Sequence, residues 1–82
     1  MKERRFVVIA EWDEEARVWY ISESEVPGLV AEAETAEALL AKIRMIVPEL
    51  VELNRHLLDW EPVDELPIYF MAQQRERIPL NN

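Results

Sequence analysis

From residue 5 to 12 the chain alternates with a period of two, Phe6, Val8, Ala10 and Trp12 on one side and Val7, Ile9 and Glu11 on the other. That is the pattern of a strand whose two faces both begin apolar. Asp13, Glu14, Glu15 and Ala16 form a polar turn, and residues 17–22 resume the alternation with Val18 and Tyr20 opposite Trp19 and Ile21. The two runs predict an antiparallel hairpin, and Asp13 at its tip in place of glycine favours a four-residue loop over a tight primed turn. Pro27-Gly28 then reverses the chain, because proline presets φ and glycine accepts a positive φ without steric cost. Leu29, Ala31 and Ala33 alternate with Val30, Glu32 and Glu34, predicting a third strand over 29–34.

Next the period changes. Ala36, Leu39, Leu40, Ile43, Ile46, Val47, Leu50 and Val51 recur at helical spacing, with Glu37, Lys42, Arg44, Glu49 and Glu52 off the stripe, predicting an amphipathic helix over 36–53. Thr35 is placed to cap it, and Glu37 puts an anion in the first turn, where the helix dipole favours one. Pro48 removes a backbone donor, so a kink is expected there, or a break with Pro48 opening a second short helix. Asn54 would fall in the middle of the apolar stripe and is better placed as a C-terminal cap in a left-handed backbone. The stretch 55–65 has no clean period and reads as one more helical turn and then a loop ending at Pro62. Leu66, Ile68, Phe70 and Ala72 opposite Tyr69 and Met71 predict a fourth strand over 66–73, with Pro67 at its start, where a missing ladder donor is tolerated.

The whole chain, residues 1–82, thus reads as a single α+β domain of order β-β-β-α-β with a four-stranded mixed sheet. The pattern leaves open whether the fourth strand pairs with the first or the third. A sheet of that kind is about 19 Å wide, and one helix of about 18 residues covers only one of its faces. The other face is solvated or used for contact, with Val7, Ile9, Trp19 and Ile21, or their opposite set, lying on it.

Composition narrows the partners. Seventeen acids against nine bases give a net charge of -8, which repels phosphate backbones and suits a basic protein. The short basic runs near both ends are interrupted by glutamates and read as solvated termini, so direct nucleic-acid binding is not expected. The chain has no cysteine, which removes disulfides, thiolate metal sites and a cysteine nucleophile together. No apolar run approaches the roughly 20 residues of a membrane span and no signal peptide is evident, so a cytoplasmic protein is expected.

Little in the chain reads as catalytic. Glu11 and Asp13 near the end of the first strand, with Glu23, Glu25 and Glu32, are the carboxylates a two-metal nuclease would use, against the plainer reading of solvated acids in an acidic chain. His56 is the only histidine and falls on the polar side of the helical register, and Gly28 is the only glycine, so no phosphate-cradling loop exists. No cofactor is implied. Trp12 and Trp19 on facing strands are either a cross-strand core pair or an aromatic anchor for a partner, and the two roles are compatible. Met45, with Ala38 and Ala41, marks a weak second contact face.

The ordered series Trp12-Asp13-Glu14-Glu15-Ala16, Val18-Trp19, Ser22-Glu23-Ser24-Glu25-Val26-Pro27-Gly28-Leu29 and Glu32-Ala33-Glu34-Thr35, followed by Ile46-Val47-Pro48-Glu49-Leu50 and Asn54, resembles the HicB-type antitoxin family. The likeness runs over residues 6–54. It implies a partial ribonuclease H-like fold with sheet order 3-2-1-4, and a non-catalytic domain that binds and blocks a small basic RNA-cleaving toxin. Family members often carry an added DNA-binding segment, for which this chain leaves no room, so no operator binding is expected. The resulting expectation is a homodimer, formed through the uncovered sheet face or an edge strand, with Val7, Ile9, Trp12, Trp19, Ile21, Glu23 and Glu25 as candidate partner contacts. The alternatives are a remnant metal-dependent nuclease or hydrolase built on Glu11 and Asp13, and a stand-alone structural domain without a toxin partner.

Overall fold

The computed structural model describes residues 5–58 and 65–81. Four strands, β1 (Phe6–Asp13), β2 (Val18–Ser24), β3 (Glu32–Ala33) and β4 (Ile68–Gln73), form one sheet in the order β3-β2-β1-β4. Among the described residues one α-helix, α1 (Ala36–Leu53), leads from β3 toward β4 and is followed by a 3-10 turn at Arg55–Leu57. β1 pairs antiparallel with β2 and parallel with β4, and β2 pairs antiparallel with β3. The fold is therefore α+β with a mixed sheet, and the pairing of the fourth strand that the pattern left open is with β1.

The helix forms where its stripe and cap predict. Thr35 Oγ1 accepts from the Ala38 N–H at 3.0 Å, and Leu39, Ile43, Val47 and Val51 are the buried face. They close over Phe6, Val8 and Ala10 of β1 and over Val26, Leu29 and Ala33 from the connection into the helix. Of the two outcomes expected at Pro48, the break does not occur: α1 continues through it. Pro48 and Arg44 are both exposed, so the carbonyl that loses its donor is left to water rather than to the core. Asn54 does cap the helix, but not through a left-handed backbone. Its φ is -117°, and both its backbone N–H and its side-chain amide donate to the Leu50 carbonyl at 2.9 Å.

Two strand boundaries differ in instructive ways. The third strand, expected over 29–34, is reduced to Glu32–Ala33. The expected alternation holds, since Leu29 and Ala33 are buried and Ala31 half-buried, but only the later part reaches β2, with Ile21 N–H donating to the Ala31 carbonyl at 3.3 Å. The earlier part is a turn in which Gly28 takes φ +80° and Val26 and Leu29 enter the core on either side of it. The hairpin closes over residues 14–17, with Arg17 at φ 61° and its N–H on the Asp13 carbonyl at 2.7 Å, so β2 begins one residue later than expected. The Asp13 carboxylate accepts from the Glu15 and Ala16 N–H groups, which makes it the organiser of that loop. The predicted loop ending at Pro62 lies outside the described residues.

Candidate functional site

Because Phe6, Val8 and Ala10 point into the core, the intervening residues of β1 point to the other side of the sheet, which no described element covers. Register carries this division across the sheet, since residues directly opposite one another share a face. Val7 stands beside Tyr69, Ile9 beside Met71, and Glu11 between Tyr20 and Gln73. Asp13 stands beside Val18, and Glu32 beside Tyr20. The open face thus carries Val7, Ile9, Val18, Tyr20, Tyr69 and Met71, with Glu11 standing among them on the central strand and Asp13, Glu23 and Glu32 nearer the margins.

Its apolar members are accessible: Tyr20 is 37% exposed, Tyr69 53% and Met71 48%. Tyr69 is held from one side by the Arg5 guanidinium, 4.9 Å from its ring centroid. Large side chains on a pleated surface, with acids among them and the Arg5 cation at the Tyr69 end, are the ingredients of a protein-contact surface.

The candidate contacts named from sequence do not all share this face. Between Ile9 and Ala10 the partner on β2 jumps from Glu23 to Ile21, a β-bulge that leaves Ser22 unopposed, with its hydroxyl donating to the Ile9 carbonyl at 3.2 Å. The extra residue changes the face only of the residues beyond it, bringing Glu23 to the open side, while Trp19 and Ile21 take theirs from the hairpin register that sets them opposite Trp12 and Ala10. Val7, Ile9 and Glu23 lie on the open face, whereas Trp19 and Ile21, expected to accompany Val7 and Ile9, pack against the core on the helix side. Glu25 closes the end of the β1–β2 ladder instead. Its carboxylate accepts from the Val7 N–H at 2.8 Å while its own N–H donates to the Val7 carbonyl at 3.0 Å.

Trp12 and Trp19 face each other across the hairpin, rings 5.7 Å apart and inclined by 59°, both half-buried. Trp12 Nε1 donates to Glu14, and Arg17 both stacks on Trp12 and pairs with Glu14 at 2.7 Å. The pair is therefore a cross-strand cluster that pins the hairpin end on the helix side. The residues missed from sequence, Val18, Tyr20, Tyr69 and Met71, depend on the hairpin register and on which strand β4 joins, and neither is set by the pattern within a single strand.

The carboxylates considered for metal chemistry are dispersed. Asp13 caps its loop, and Glu11 accepts from the Gln73 side chain at 3.4 Å. Among the described residues no group of three or more His, Cys, Asp or Glu side chains is placed to share a cation. His56 is exposed on the 3-10 turn and Met45 on the outer face of α1. No helix among the described residues is long and apolar enough to cross a membrane.

Comparison with known proteins agrees with the fold and leaves the activity open. A hypothetical protein from the extremely thermophilic bacterium Thermus thermophilus, of known crystal structure, is 42% identical, with a TM-score of 0.65 over 94% of this chain and 100% of that one. No curated protein matches. The family model for a domain of unknown function, DUF1902, matches residues 5–81, and the chain belongs to that family.

Proposed function

We propose that the protein is a non-catalytic binding domain that works as a HicB-type antitoxin would, occluding a small basic RNA-cleaving protein with its open sheet face. One observation carries the reading: the face that no described element covers presents large apolar side chains interspersed with acids, on a chain of net charge -8. The acids steer a cationic partner to the surface, and Tyr20, Tyr69, Met71 and Ile9 supply the area whose desolvation holds it. The sequence likeness over residues 6–54 supports the same reading, and a cytoplasmic location follows from it, since RNA is the target of such a partner.

The test is calorimetric titration of the protein with the product of the adjacent gene, because genes of that family are commonly paired with the gene for their target. Tight binding that weakens about tenfold or more in Met71→Lys and falls with added salt is expected. Met71 is exposed, so the variant should fold normally. No binding by the wild type, or undiminished binding by Met71→Lys, overturns the proposal.

A further inference from the structure

β4 is an edge strand of the sheet among the described residues, and three features converge on it. The first is its unused backbone. Phe6 is aligned with Ile68, and the Phe6 N–H donates to the Pro67 carbonyl at 3.0 Å. In a parallel ladder this directs the odd residues of β4 toward β1 and leaves the N–H and C=O groups of Ile68, Phe70 and Ala72 pointing out from the edge. The second is a groove of about 590 Å³ next to that edge, lined on the β4 side by Leu66, Ile68 and Phe70 and on the helix side by Leu40, Val47 and Val51. The groove exists because α1 sits closest to β2 and β3.

The third is the segment after β4. Residues 74–81 are all exposed, and Ile78 and Leu80 are 74% and 94% exposed. If the segment continues the extended course of β4, Ile78 and Leu80 fall on the same face as Ile68 and Phe70. Their outward N–H and C=O groups also fall on the free edge. Pro79, at an odd position, has its missing donor on the opposite side, where no pairing is interrupted. The segment also differs in charge: Arg75 and Arg77 against Glu76 make it cationic by one on a chain of net -8.

We infer that the β4 edge and the 74–80 segment form the interface of a homodimer, two copies pairing antiparallel about a two-fold axis at Gln74. In that register Ile78 of one copy stands opposite Phe70 of the second copy, and Leu80 opposite Ile68. Both side chains enter the second copy's groove, and Arg75 stands opposite the second copy's Gln73, whose side chain contacts Glu11. The same chain cannot fill its own groove this way. A four-residue reversal at 74–77 sets Ile78 beside Gln73 and Leu80 beside Met71, on the open face and short of Ile68. The paired sheets share a plane with both helices on one side, so the open face stays free and is doubled in extent.

Sedimentation equilibrium on the full chain, with and without Ile78→Asp/Leu80→Asp, tests the interface. The two residues are exposed in the single copy, so the double variant keeps its fold, which far-ultraviolet circular dichroism checks. A wild-type dimer weakened by at least about tenfold in the variant is expected. A monomeric wild type, or a dimer unaffected by the variant, overturns the inference. The register is tested by Gln74→Cys in this cysteine-free chain. At the axis the two Cα atoms are about 5.5 Å apart, within disulfide range, so mild oxidation should give a covalent dimer, and Ile78→Cys should not. The reverse pattern refutes the register.

Discussion

Truncating Leu39 tests whether the helix is held by one face. Leu39 is fully buried, one turn into α1, and belongs to the same cluster as Val8 and Ala10, which are themselves fully buried. Leu39→Ala removes three carbons from a site floored by the sheet, whose backbone is tied on both sides of β1 and cannot collapse far. The expected cost is about 3–4 kcal/mol, the middle of the range for buried leucine truncations. Met45 on the same helix is 78% exposed, and Met45→Ala should change stability by no more than about 0.5 kcal/mol. Urea unfolding followed by tryptophan fluorescence reads both. With a slope of about 1–2 kcal/mol per molar for a chain of this size, Leu39→Ala should lower the midpoint by about 1.5–4 M, and Met45→Ala should barely move it. A Leu39→Ala cost below about 1 kcal/mol, or equal losses for the two variants, would refute the assigned core.

Further variants probe the local devices. Gly28→Ala should cost about 1–2 kcal/mol in the same assay; the added Cβ would meet Leu50 Cδ2 at an ordinary 3.5 Å, so the penalty comes from φ +80° alone. At Arg17, where φ is also positive, relief of strain in Arg17→Gly is offset by loss of its stacking on Trp12 and its pair with Glu14, and the net change should be within about 0.5 kcal/mol of zero. Thr35→Ala should cost about 1 kcal/mol by leaving the Ala38 N–H without its cap. A double-mutant cycle on Trp12 and Trp19 should give a coupling of about 0.5–1.5 kcal/mol, and a coupling near zero would show that the ring contact is incidental.

The parts of this fold that depend on neighbours in sequence were legible without the structure. The helix runs over the predicted residues because its cap, its acidic first turn and its apolar stripe all lie within the segment itself. Pro48 was misleading in one respect: a proline on the solvent side costs a hydrogen bond that water replaces, and the packing of Val47 and Val51 against the core keeps the helix whole. The Ser22 bulge was not legible, because one extra residue in β2 changes no local propensity yet brings Glu23 opposite Ile9 on the open face, while the hairpin register, with Trp19 opposite Trp12 and Ile21 opposite Ala10, puts those two on the helix side. Nor was the full open face legible, since Tyr69 and Met71 join Val7 and Ile9 only once β4 is placed beside β1. Alternation shows which residues share a side of one strand; only register shows which strands bring those sides together.

The most direct test of the proposed binding role is amide shift mapping by nuclear magnetic resonance, titrating the protein with the adjacent gene's product. Perturbations are expected to concentrate on Val7, Ile9, Val18, Tyr20, Tyr69 and Met71 and their acidic neighbours Glu11 and Glu23, with the exposed side of α1 around Met45 unmoved. Perturbations centred on α1, or none at saturating concentrations of that product, would contradict that role.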